Sequence, residues 1–94
     1  MSEPAIKSSG NVFVDLGYSS DEAAILQMRA DLMANLCKFI KARKLTQSKA
    51  AEMLGVSQSR VSDLARGKWE KFSLEMLIIL ATKAGMRVTL KTAA

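Results

Sequence analysis

LGVSQSRVSDL, residues 54–64, is the stretch on which the reading of this chain turns. Gly55, Val56 and Ser57 have the look of a turn and a helix N-cap, since glycine accepts the positive φ of a tight turn and a serine side chain satisfies free N–H groups at a helix start. Gln58, Ser59, Arg60, Ser62 and Asp63 then surround only two apolar residues, Val61 and Leu64. The helix they predict, from Gln58 to about Arg66 and closed by Gly67, has one apolar edge and is otherwise lined with groups that donate or accept hydrogen bonds. A second short helix precedes it, with Thr46 as N-cap, Gln47 to Leu54 as body and Gly55 as stop. Two helices joined this closely pack at a steep angle only if the residue at the crossing is small and the turn tolerates a positive φ. Ala51 meets the first condition and Gly55, four positions later, the second. Ala50, Leu54, Val56, Val61 and Leu64 fall where the pair needs apolar contact with each other and with a third helix.

That third helix lies upstream. Ser19 and Glu22 have capping-box spacing, and Asp21 adds negative charge favourable at a helix start. Ile25, Met28, Leu32, Leu36, Phe39 and Ile40 recur at three- and four-residue steps, the period of one helical face, and Leu26, Met33 and Cys37 widen the stripe. The helix is expected to end near Arg43 and Lys44, whose charges suit its C-terminal carbonyls. Downstream, KWEKF reads as a loop. Ser73 caps a fourth helix with Leu74, Leu77, Ile78 and Ala81 as its inward stripe and Gly85 as its stop. In MRVTLK, residues 86–91, Met86, Val88 and Leu90 alternate with Arg87, Thr89 and Lys91, the two-residue period of a half-buried strand.

A lone strand leaves its backbone groups without partners. The simplest solution is a second copy of the chain, pairing antiparallel through Met86, Val88 and Leu90. NVFVDLGY, residues 11–18, offers an alternative within the chain, because its Val-Phe-Val core is strand-like. This patch comes after a polar arm that is expected to be mobile. Two uses are open for it: Val12, Val14 and Leu16 cover the exposed side of the long helix, or the patch is a surface for another protein. The organisation expected is an N-terminal arm over residues 1–18 and one domain over residues 19–91.

Composition narrows the function. Ninety-four residues build one modest core, which five aromatic residues leave largely aliphatic. No run approaches the roughly 18 apolar residues of a membrane span. MSEPAIKSSG has no apolar signal-peptide core, so a cytoplasmic protein is expected. A single cysteine, Cys37, excludes an internal disulfide and a cysteine-rich zinc site. With no histidine, the commonest general base and metal ligand are missing, so neither an enzyme nor a metal or other cofactor is expected.

The net charge of +5 is unevenly placed. Lys7 and Arg29 stand against Glu3, Asp15, Asp21, Glu22 and Asp31 in residues 1–37, a net of −3. Nine bases (Lys38, Lys41, Arg43, Lys44, Lys49, Arg60, Arg66, Lys68 and Lys71) stand against Glu52, Asp63 and Glu70 in residues 38–71, a net of +6. A basic field over the middle third of the chain attracts polyanions.

LTQSKAAEMLGVSQSRVSDLARGK resembles the helix-turn-helix of the XRE/Cro/C1-type DNA-binding proteins, in its Leu-Thr-Gln opening, its Gly-Val-Ser-Gln start to the second helix and its closing Gly-Lys. With GNVFVDLGYSSDEA before the motif and FSLEMLIILATKAGMRVTL after it, the longer pattern is similar to HigA-like antitoxins, small repressors encoded beside a RelE-fold ribonuclease toxin. The resemblance implies a mostly all-α, lambda-repressor-like fold of four principal helices with a C-terminal strand. In a homodimer paired through that strand, the two motifs are expected to sit roughly 34 Å apart on a pseudo-palindromic operator.

In such proteins the second helix enters the major groove of double-stranded DNA N-terminus first. Donors and acceptors in its early turns then have a purpose. Gln58 suits adenine, and Arg60 suits guanine or a phosphate. Ser59 and Ser62 are short enough for close approach, and Asp63 either accepts from cytosine or enforces register. Ser57 is a cap first and a contact second. Thr46 and Gln47, at the N-terminus of the first motif helix, are placed to hold a phosphate, with Arg66 and Lys68 where the DNA backbone passes. Trp69 either packs across its loop or lies against DNA or a partner. Val12, Phe13, Val14, Leu16 and Tyr18 are the residues expected to meet a small basic toxin.

Overall fold

The computed structural model describes residues 11–93; the first ten residues of the expected arm lie outside them. Five α-helices succeed one another: α1 (Val12–Asp15), α2 (Ser20–Ala42), α3 (Gln47–Leu54), α4 (Gln58–Ala65) and α5 (Leu74–Lys83), with a 3-10 turn, Trp69–Lys71, between the last two. Each boundary has a local cause. Ser19 accepts from the Glu22 N–H at 3.2 Å while the Glu22 carboxylate reaches back to Ser19, completing the capping box at the start of α2. Thr46, Ser57 and Ser73 cap α3, α4 and α5, each hydroxyl accepting from the N–H three residues on at 3.1 Å.

The centre of the core is Leu36 of α2, Leu54 of α3, Leu64 of α4, Phe72, and Leu77 of α5, all almost completely buried. α2 runs behind the other helices and packs on α5 and α4, while α3 and α4 pack on each other. Ala50, Ala51 and Val61 form the small cluster at the α3–α4 crossing that their size and spacing predict.

Four expectations require correction. The buried face of α2 is Ala23, Leu26, Met33 and Leu36, whereas Ile25 and Met28 are each 45% exposed. At about 1.5 Å per residue α2 is more than twice as long as any neighbour, so part of its apolar stripe has nothing to lie against. On α5 the buried residues are Leu77, Leu80 and Ala81, with Ala84 just after the helix; Ile78 turns outward and Leu74 is half-buried. KWEKF contains the 3-10 turn rather than an open loop.

The fourth correction concerns the strands. NVFV is a turn of helix: Asn11 caps it by accepting from the Phe13 N–H at 2.9 Å, and its amide donates to the Ala23 carbonyl of α2 at 3.0 Å. Helical geometry sends Phe13 inward and leaves Val12, Val14 and Leu16 exposed, so these three do not cover α2. Residues 86–91 form no strand among the described residues. After the Met86 N–H bonds the Ala81 carbonyl at 2.9 Å the chain is irregular, and NVFV, which could have offered it a partner strand, forms α1. Met86, Val88 and Leu90 instead border a groove of about 570 Å³ shared with Met28 and Leu32 of α2 and with Ile78 of α5.

Candidate nucleic-acid interface

The interface is built from the turn outward. Gly55 sits at φ 70°, the left-handed conformation that ends α3. The Val56 N–H then bonds back to the Ala51 carbonyl at 3.0 Å, the six-to-one closure that satisfies a free carbonyl and reverses the chain. Val56 is half-buried in the crossing, and Ser57 starts α4 one residue later. Two anchors hold α4 from behind, Val61 at 2% exposure and Leu64 at 1%.

Those anchors define what α4 shows to solvent. At about 100° per residue, Ser59 and Arg66 point directly away from Val61 and Leu64, with Ser62 and Asp63 on either side of them and Gln58 at the flank. Gln58, Ser59 and Arg66 are exposed; Ser62 and Asp63 are partly so. Gln47 is exposed at the first position of α3. The hydroxyls of Thr46 and Ser57 serve their caps.

Arg60 departs from this outward set. Its position falls beside Leu64, and its guanidinium turns back over the Phe72 ring, 5.4 Å from the centroid, with Nη1 donating to the Lys71 carbonyl at 3.0 Å. The residue singled out for guanine or phosphate is therefore half-buried and tied to the 3-10 turn. Lys68 folds toward α4, its N–H on the Asp63 carbonyl at 3.0 Å and its ammonium 4.0 Å from the Asp63 carboxylate. Asp63 thus carries a counter-charge of its own.

The sequence reading missed the three aromatic rings on this side of the molecule. Phe13 of α1 meets Trp69 edge-on with centroids 5.7 Å apart, and Tyr18 meets Trp69 at 6.3 Å. The only signal available was the presence of Trp69 in a loop and of an apolar arm far upstream; nothing local joins them. Cys37 of α2 lies under the end of α4, its thiol donating to the Leu64 carbonyl at 3.4 Å. Burial pushes its pKa up, against a smaller downward pull from Lys41. Among the described residues no cluster of acidic or cysteine side chains has metal-site geometry, and no helix is long and apolar enough to cross a membrane.

Two short capped helices, a left-handed glycine at their junction and a polar outward face on the second are the parts of a helix-turn-helix. The family described as a helix-turn-helix domain matches residues 12–93, nearly the whole chain. This protein belongs to that helix-turn-helix family. No curated protein matches it. The match takes in α1 and the C-terminal segment as well as the two motif helices, so the helix-turn-helix domain here includes both flanks. A helix-turn-helix domain points to a DNA-binding regulator.

Proposed function

We propose that the protein is a dimeric, sequence-specific repressor that reads double-stranded DNA through α4, and that it is the cytoplasmic antitoxin of a type II toxin–antitoxin pair. The observation that carries the DNA reading is the division of α4 into a buried edge, Val61 and Leu64, and an outward face of Gln58, Ser59, Ser62 and Arg66. Side chains of these types hydrogen-bond base edges or phosphates, and an α-helix fits the major groove. Gln47, at the N-terminus of α3, and Lys68, beside Asp63, are assigned to positioning on the DNA backbone. Thr46 and Ser57 hold the two helix starts in place for that contact. No catalytic step is assigned to the chain.

Dimerisation through Met86, Val88 and Leu90 is supported by the segment after α5, which forms no ladder with the other described residues. Val88 is 36% exposed and Leu90 85% exposed, beside a groove that already has apolar walls. An exposed edge with free backbone groups is a template for a second strand. Two copies paired there present two α4 helices to successive turns of a pseudo-palindromic operator.

The antitoxin assignment rests on the resemblance of the flanking segments to HigA-like proteins and on the exposed Val12, Val14, Leu16 and Tyr18 of the N-terminal segment. These residues are assigned to a RelE-fold ribonuclease toxin; Phe13, at 5% exposure, is spent on α2 and Trp69. That docking of α1 on its own chain favours a second reading, a stand-alone XRE-type regulator with no protein partner. Pull-down of the C-terminally tagged protein from a lysate of its host, with mass spectrometry of the bound fraction, separates the two. A single small, basic, stoichiometric partner is expected. A preparation that binds its own upstream DNA and retains no such partner is the stand-alone regulator.

A further inference from the structure

The N-terminal segment and the turn that leaves α4 are more than fifty residues apart in sequence and adjacent in space. We propose that α1 is a brace for the DNA-reading helix, with Phe13 and Trp69 as positioning residues that act on α4 through Arg60; this rests on the DNA-binding reading above.

The 3-10 turn Trp69–Lys71 has no side-chain cap, so its placement depends on the groups its two sides touch. On one side Trp69 is seated against Phe13 and Tyr18, and α1 is itself pinned to α2 by the Asn11 amide on the Ala23 carbonyl, 3.0 Å, and by burial of Phe13 against Ala23 and Leu26. On the other side the Lys71 carbonyl accepts from Arg60 of α4 at 3.0 Å, and Phe72 lies beneath the guanidinium. A shift of the Trp69 ring therefore moves the carbonyl that holds Arg60. Edge-on aromatic contacts have preferred geometry, so they orient the turn as well as burying area. Removing the Phe13 ring leaves Trp69 without its closest aromatic neighbour while leaving every outward side chain of α4 in the sequence.

Trp69 is the chain's only tryptophan, so its fluorescence reports the clasp directly. The experiment uses the full chain and a duplex that the wild-type protein selects from a random pool, with an unselected duplex of equal length for comparison. Phe13→Ala is expected to shift Trp69 emission to the red and to weaken binding of the selected duplex about three- to tenfold, the scale of coupling through packed side chains, with binding of the unselected duplex unchanged. Ser20→Ala, at an exposed residue that starts α2, is expected to change neither quantity. If Phe13→Ala loses helix content by circular dichroism, Phe13→Leu replaces it, keeping an apolar plug without the ring. Shifted emission with full affinity for the selected duplex overturns the brace. So does an equal loss on both duplexes, which is the result of a merely weakened fold. A wild-type protein that selects no sequence defeats the DNA reading itself and the brace with it, a result seen before any variant is made.

Discussion

Ser57 illustrates how much of this interface is local chemistry. Its hydroxyl accepts the Arg60 N–H at 3.1 Å, one of the groups that would otherwise be unsatisfied at the start of α4. Ser57→Ala is expected to lower stability by about 1 kcal/mol, read as an earlier denaturation midpoint, and Ser57→Asp to keep it. Gly55 has a different reason for its identity. At φ 70° any other residue is strained, and an added Cβ would stand 3.1 Å from the Lys83 ammonium of α5. Gly55→Ala is therefore expected to cost roughly 1–2 kcal/mol in the same measurement. Cys37 makes a prediction in pH. Its pKa is raised by burial, so the folded protein favours the neutral thiol. The stability this contributes is complete below the ordinary thiol pKa and is lost as pH rises through the raised one. Alkylation of Cys37 in the native protein should accordingly reach half its limiting rate at a higher pH than alkylation of the unfolded chain.

Among the elements, the two motif helices and their caps were legible in the sequence, because caps, glycine stops and small crossing residues act over three or four positions. Thr46, Ser57 and Ser73 cap where the sequence places them. The rotation of α2 was not legible. Its apolar residues cover two faces, and which face is inward depends on where α5 lies, a fact that no local spacing contains. The NVFV stretch misled for a related reason: β-branched residues favour a strand only when one is there to pair with, and the Asn11 cap with Phe13 burial stabilises a helical turn instead. Alternation in residues 86–91 was real, but a ladder needs a second strand that the described residues do not supply. At the interface, the outward set of α4 could be read from helical period, while the retreat of Arg60 onto Lys71 and Phe72 could not. Leu90→Asp tests the C-terminal segment. Because Leu90 is 85% exposed, the fold should be unaffected, and sedimentation should change from dimer to monomer; an unchanged sedimentation coefficient would remove this segment from the dimer contact.

For the whole molecule the organising fact is charge. Residues 38–94 carry a net +8 and residues 1–37, which hold α1 and the first half of α2, a net −3. A polyanion is thus drawn to one region of the surface, and binding releases its condensed counterions. The logarithm of affinity for DNA should fall linearly with the logarithm of salt, and Arg66→Ala should reduce that slope by about 1, the loss of one phosphate contact. The central claim is that the outward face of α4 reads DNA, and Ser59→Glu tests it most directly. Ser59 is exposed in the first turn of α4, where an added carboxylate favours the helix and leaves the fold intact. On the same face it would confront phosphates and base-edge acceptors. Measured by fluorescence anisotropy on the duplex selected by the wild-type protein, specific binding by Ser59→Glu should be lost with helix content and melting temperature retained. Binding equal to that of the wild type would show that this face of α4 does not meet the DNA.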